Sequence, residues 1–262
     1  MKCMITSLPA WVVALKLTLF TYFLTALGAA VVFLFKNVRQ NLINFMLSFS
    51  AGIMLASGIF SLLIPSIEYS EQLFGNGVVV PCLSFLIGSL SIIVFDILLN
   101  KIIKKKGGVF QKNKKNIILF SAITLHNIPE GMCVGVSVAM SALLSPFNVM
   151  PAFLLALGVG IQNFPEGASI SLPLRASGES RLKAFFYGQM SGIVEPIFGV
   201  VACLFALQFN SVLPFLLGFS SGAMICVSAT ELIAEAATNN KYLAGAGVTI
   251  GFCFMMLLDL LF

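Results

Sequence analysis

Eight apolar stretches follow one another along this 262-residue chain, and the connections between them are too short to hold a folded domain. About 20 apolar residues suffice for a helix to cross the hydrocarbon core of a bilayer. The stretches run over 10–35, 41–67, 78–100, 116–142, 149–174, 183–208, 211–237 and 241–262. Backbone polar groups at membrane depth must pair within their own segment, which leaves a helix bundle as the architecture. Composition agrees. The chain is 59% hydrophobic and only 10% charged, with mean hydropathy +1.03, where a soluble domain carries roughly 25% charged residues. The expectation is an all-α, polytopic membrane protein with eight transmembrane helices in a single transmembrane domain, 1–262. The first stretch, from Trp11 to Phe35, is too long for the apolar core of a signal peptide.

Charge sets the expected orientation. Lys36 and Arg39 follow the first stretch. Lys101, Lys104, Lys105, Lys106, Lys112, Lys114 and Lys115 follow the third, in a basic loop over 101–115. Arg175, Arg181 and Lys183 follow the fifth, and Lys241 the seventh. The alternate loops hold no basic residue. Basic residues collect in cytoplasmic loops, so both termini are expected to be extracytoplasmic. The lysine cluster reads as a solvated loop, with no nucleic-acid partner. The six cysteines form no CxxC pair and read as small buried hydrophobes. Glu68 and Glu71, at the outer end of the second stretch, read as a solvated rim.

Two near-identical segments stand out against the apolar background. They are His126-Asn127-Ile128-Pro129-Glu130-Gly131 and Gln162-Asn163-Phe164-Pro165-Glu166-Gly167. A carboxylate within a membrane helix is costly and marks a functional site by default. On a helix, residues three and four apart share a face. His126 and Asn127 therefore flank Glu130, as Gln162 and Asn163 flank Glu166. Two such helices facing one another give adjacent cation positions with both glutamates shared. Two carboxylates match the charge of one divalent ion. Imidazole, carboxylate and amide oxygen suit zinc or ferrous iron better than copper(I), which prefers sulfur. Pro129 and Pro165 each remove a helical N–H and free a carbonyl a turn earlier. Gly131 and Gly167 remove bulk beside the glutamates, and Gly131 with Gly135 permits close helix contact. Glu195, beside Pro196 in Ser191-Gly192-Ile193-Val194-Glu195-Pro196, is expected to line the same cavity. For Asp96 and Asp259 the residues alone support a structural hydrogen bond as well as transport. Glu231 is a candidate for an exit path, and Met54 reads as a core methionine.

These segments resemble the ZIP (Zrt/Irt-like) family of metal-ion transporters, and within it the GufA-type branch. HNIPEG and QNFPEG match the signatures of the fourth and fifth helices. SGIVEP resembles the sixth, SSGAMICVSATELIAE the seventh and AGIMLASGIFSLLIP the second. The resemblance implies import of zinc, with iron, manganese and cadmium as further ions, into the cytoplasm across the cell membrane. It implies a binuclear site between spans 4 and 5. One ion would take His126, Glu130, Gln162 and Glu166 with Met54 nearby. The second would take Asn127, Glu130, Asn163, Glu166 and Glu195. Glu231 and Asp259 match acidic positions tied to the release path. Similar proteins form homodimers and work by alternating access. The ion is cargo, and no prosthetic group is implied. Asn163 leaves the second position less negative than in similar proteins, and the histidine-rich loop of some relatives is absent.

A metal-ion-selective channel is the alternative. A kinked, acid-lined pore would pass a current that does not saturate, where a carrier saturates. An enzyme is not expected, since a HExxH metalloprotease needs two histidines and this chain has one.

Overall fold

A computed structural model describes residues 8–35, 39–105, 114–143, 148–176, 178–238 and 240–261; the side chains of 99–100, 102–105, 114–123, 125–126, 210 and 260–261 lie outside that description. Among the described residues every regular element is helical. The helices are α1 (Ala10–Leu34), α2 (Gln40–Phe74), α3 (Val79–Lys105), α4 (Lys114–Leu143), α5 (Met150–Ala176), α6 (Arg181–Gln208), α7 (Leu213–Ala237) and α8 (Lys241–Leu261). Counting only the described residues, six of them (α1, α2, α3, α6, α7 and α8) contain a stretch long and apolar enough to cross a membrane. The chain is an all-helical, multi-pass membrane protein. The charged tip of the expected loop over 101–115 falls outside the described residues.

The helix ends follow from local chemistry. Asn76, Asn148 and Asn240 each offer Oδ1 to backbone N–H groups at the starts of α3, α5 and α8. Ser180 does the same for α6, accepting from the Lys183 N–H. These caps pair donors that a helix start otherwise leaves free. α2 stops at Gly75, which adopts φ 63°, a left-handed conformation that glycine tolerates best. Glu71 accepts from the Gly77 N–H at 2.6 Å, so this rim carboxylate folds the turn.

α2 extends beyond the expected 41–67, passing through Pro65 to Phe74. A π-helical turn over Gly58–Leu63 lies just before that proline, and a second one interrupts α7 at Ser228–Ile233. Such turns insert a residue into the helical ladder and are frequent at functional sites.

The helices pair in a two-fold pattern. α1 packs along α5 as α6 packs along α4, and α2 packs along α8 as α7 packs along α3. α2 also touches α5, and α7 touches α4, so α2 and α7 join the two groups. This is the layout of an internal repeat. Glycine makes each pairing close. A Cβ on Gly28 would lie 1.8 Å from the Phe164 carbonyl oxygen, and one on Gly135 would lie 2.0 Å from that of Gly199. Gly52 and Gly251 do the same between α2 and α8, and Gly88 and Gly222 between α3 and α7. Lipid offers no hydrophobic drive for helix association, so such van der Waals contact has to supply it.

Candidate functional site

α4 and α5 run unbroken through Pro129 and Pro165 and bring the two duplicated segments together within the group formed by α1, α4, α5 and α6. Asn127, Glu130, Gln162 and Asn163 are fully buried, and Glu166 is 1% exposed. The glycine after each glutamate sets the spacing. A Cβ on Gly131 would sit 2.4 Å from the Glu195 carbonyl oxygen of α6, and one on Gly167 would sit 2.1 Å from the Thr25 carbonyl oxygen of α1. Each proline-glutamate-glycine segment is thereby pressed against its own partner helix. The close contact expected of Gly131 and Gly135 is observed, and its partner is α6.

The side chains cross between helices. Gln162 Nε2 donates to Glu130 Oε1 at 2.8 Å, bridging α5 to α4 instead of pairing with Glu166 on its own helix. Glu130 lies close enough to both Glu166 and Glu195 for their charges to interact. The backbone carbonyls of the two glutamates are also engaged, by Cys133 Sγ and Ser169 Oγ three residues on.

What is left unpaired defines the site. Ten buried side-chain nitrogen and oxygen atoms among the described residues have no hydrogen-bond partner. Seven belong here: both amide atoms of Asn127, Glu130 Oε2, Gln162 Oε1, Asn163 Oδ1 and both carboxylate oxygens of Glu166. Buried polar groups are ordinarily satisfied, and each exception calls for a reason. Six of these seven atoms are oxygens, which is the donor set of a hard or borderline cation. Among the described residues no three His, Cys, Asp or Glu side chains gather closely enough to make a metal cluster by themselves. Among the described side chains, the amide oxygens are the groups that could complete a coordination begun by the glutamates.

The other expected residues are placed as follows. The His126 backbone is in α4, but its side chain lies outside the described residues. Met54 is fully buried in α2, one turn beyond Ser50, whose hydroxyl donates to the Gln162 carbonyl at 3.1 Å. Met54 thus stands on the helix that faces the site. Glu195 is fully buried at the start of the α-helical part of α6, after a 3-10 turn at Ser191–Ile193. Unlike Glu166, its carboxylate is well partnered. Thr21 Oγ1 lies 2.5 Å and Asn163 Nδ2 2.9 Å from Oε2, with Thr25 Oγ1 3.3 Å from Oε1.

Glu231 and Asp259 are not brought together. α2 and α7 run antiparallel, with Gly58 against Ile225 and Ser66 donating to the Pro214 carbonyl. Asp259 accepts from Ser61 in the π-turn of α2 at 2.8 Å. Glu231, in the π-turn of α7, lies instead near Asp96 and Glu235. The two acids stand at different levels of the bundle.

Thr21 and Thr25 were not among the expected site residues. Their signal was present: Thr18, Thr21 and Thr25 repeat at helical spacing along α1 and are all fully buried.

Known proteins resemble this chain in sequence. The sequence signature described as ZIP Zinc transporter matches residues 115–259, more than half of the chain. The chain belongs to the ZIP zinc transporter family. Zinc transporter ZIP11 of Xenopus tropicalis is 34% identical, across 92% of this chain and 95% of the relative. Zinc transporter ZIP11 of Homo sapiens is 30% identical, across 94% and 96%. Zinc transporter GufA of Myxococcus xanthus is 36% identical across 55% of each chain. The ZIP signature contains both duplicated segments, Glu195 and Glu231, and ends at Asp259.

Proposed function

We propose that this chain carries divalent metal ions, zinc foremost, across the cell membrane into the cytoplasm by alternating access, through a site centred on Glu130 and Glu166. One observation carries the proposal: seven unpaired, buried polar atoms converge from α4 and α5 around two glutamates. A buried carboxylate with no partner costs several kcal/mol. An ion carrying two positive charges neutralises the pair and gives every stranded oxygen a partner. The family and the relatives named above, each called a zinc transporter, support zinc as the cargo.

The first half of the site, where His126, Glu130, Gln162 and Glu166 would meet with Met54 alongside, holds most of the free acceptors. All eight helices would cross the bilayer, with α1, α4, α5 and α6 carrying the ion past α2, α3, α7 and α8. Glu231 and Asp259 would then serve opposite ends of the route.

The test is zinc uptake into proteoliposomes. Glu130→Ala and Glu166→Ala should each lower influx at least about tenfold, the equivalent of about 1.4 kcal/mol. Unchanged influx in both would sink the site. Flux that saturates at low metal concentration marks a carrier. Flux that rises without limit and follows the membrane potential would establish the channel instead.

A further inference from the structure

Glu130, Glu166 and Glu195 are three fully enclosed carboxylates in one locality, yet their surroundings differ. Glu166 has no donor on either oxygen, and Glu130 has one, from Gln162. Glu195 has donors on both oxygens, and they come from two other helices. The Thr21 hydroxyl also lies 2.9 Å from the Thr18 carbonyl, but the carboxylate at 2.5 Å is nearer. Gly192 leaves room for this arrangement, since a Cβ there would stand 3.0 Å from both Glu195 Oε1 and Thr25 Oγ1.

Asn163 is the residue that decides the outcome. Its amide nitrogen donates to Glu195 Oε2 at 2.9 Å, the orientation that suits a carboxylate, which when ionised only accepts hydrogen bonds. An aspartate at 163 would set two carboxylates against each other at hydrogen-bonding distance, and only a cation or a proton between them could relieve the repulsion. The amide N–H does that work here with no ion. The threonines add to it, and charge-assisted hydrogen bonds of this kind are the strong ones. An ion arriving at Glu195 would have to displace three donors. An ion arriving at Glu166 displaces none.

We infer that in this chain Glu195 is a positioning residue, a hydrogen-bonded latch tying α6 to α1 and α5, and that Asn163 occupies with its amide the place of a second cation, so that the centre loads one divalent ion per chain. This rests on the proposed transport site at Glu130 and Glu166 and specifies its stoichiometry. The latch also holds α6 in register while Glu130 and Glu166 take up and release cargo.

Stoichiometry tests this directly. The purified full-length protein is dialysed to equilibrium against zinc. Site-bound metal is counted as the zinc lost in the Glu130→Ala/Glu166→Ala double variant, with size-exclusion profiles confirming that each variant is folded. Wild type should hold one zinc per chain. Asn163→Asp, nearly the same shape, should hold two, and adding Glu195→Gln to Asn163→Asp should return the count to one. Thr21→Val/Thr25→Val should lower the melting temperature while the count stays at one. Two zinc ions in wild type, or one in Asn163→Asp, overturns the inference and leaves the transport site standing. No difference between wild type and the double variant overturns the site itself, and the inference with it.

Discussion

Glu166 is enclosed on all sides and still has neither carboxylate oxygen paired. Such a group burdens the protein except when its ligand is bound. Replacing it by an isosteric amide should therefore separate stability from binding. Glu166→Gln should melt at or above the wild-type temperature in metal-free buffer. It should lose the zinc-induced rise, which for wild type amounts to about 2.7 kcal/mol at a hundredfold excess over the dissociation constant. Thermal melting with and without zinc checks both. Met54 allows a comparable separation. It is fully buried in the same apolar core as Ile53 and Leu155, on the helix that packs along α5. Met54→Leu conserves volume and should cost under about 1.5 kcal/mol. If the thioether contacts cargo, the variant should lose cadmium uptake relative to zinc, since cadmium favours sulfur. An unchanged cadmium-to-zinc ratio would assign Met54 to packing alone.

At the scale of the helices, glycine is the residue that fixes where α4 and α5 stand. Gly167→Ala would push a methyl to 2.1 Å from the Thr25 carbonyl oxygen, and Gly131→Ala to 2.4 Å from that of Glu195. In both cases the obstacle is backbone, which cannot turn aside. Each change should destabilise by about 1–3 kcal/mol, the usual cost of overpacking, and should lower zinc uptake by spreading the site. Gly245 is the control, because a Cβ there meets nothing within 4 Å. Gly245→Ala should be neutral or stabilising by up to about 1 kcal/mol, the helix-propensity difference. If all three glycine variants melted and transported alike, close helix contact would not be what positions the glutamates. The π-helical turns in α2 and α7 belong to the same scale, because each re-aims an acid or its partner: Ser61 towards Asp259, and Glu231 towards the side of Asp96.

At the scale of the whole molecule, the paired helices have two-fold symmetry but the site does not. Gly131 of α4 meets Glu195 on α6, and the equivalent Gly167 of α5 meets Thr25 on α1. The two equivalent positions carry a carboxylate and a hydroxyl, and these side chains meet at 3.3 Å, so the polar contacts gather around Glu195 and are not repeated around a second acid. Orientation can be measured by labelling cysteines introduced at exposed positions of a cysteine-free protein. Gln72→Cys should react with a membrane-impermeant maleimide from outside intact cells, and Arg181→Cys only after permeabilisation. The reverse pattern would invert the topology and turn the proposed import into export.

The sequence by itself determined the class of the fold and singled out the two duplicated segments. Long apolar runs permit only helices that satisfy their own backbone, and a duplicated proline-glutamate-glycine segment within such runs has few uses. The edges of the apolar runs made the helix starts legible to within two residues. Only the tertiary structure decided which carboxylates are left bare. Thr21 and Thr25 lie well over a hundred residues from Glu195, and a threonine in an apolar helix can equally bond its own backbone. Gln162 could have served Glu166 on its own helix but serves Glu130 on another. Hydrogen bonds between helices depend on ångström-scale placement of whole segments, which the glycine contacts set and no local pattern encodes.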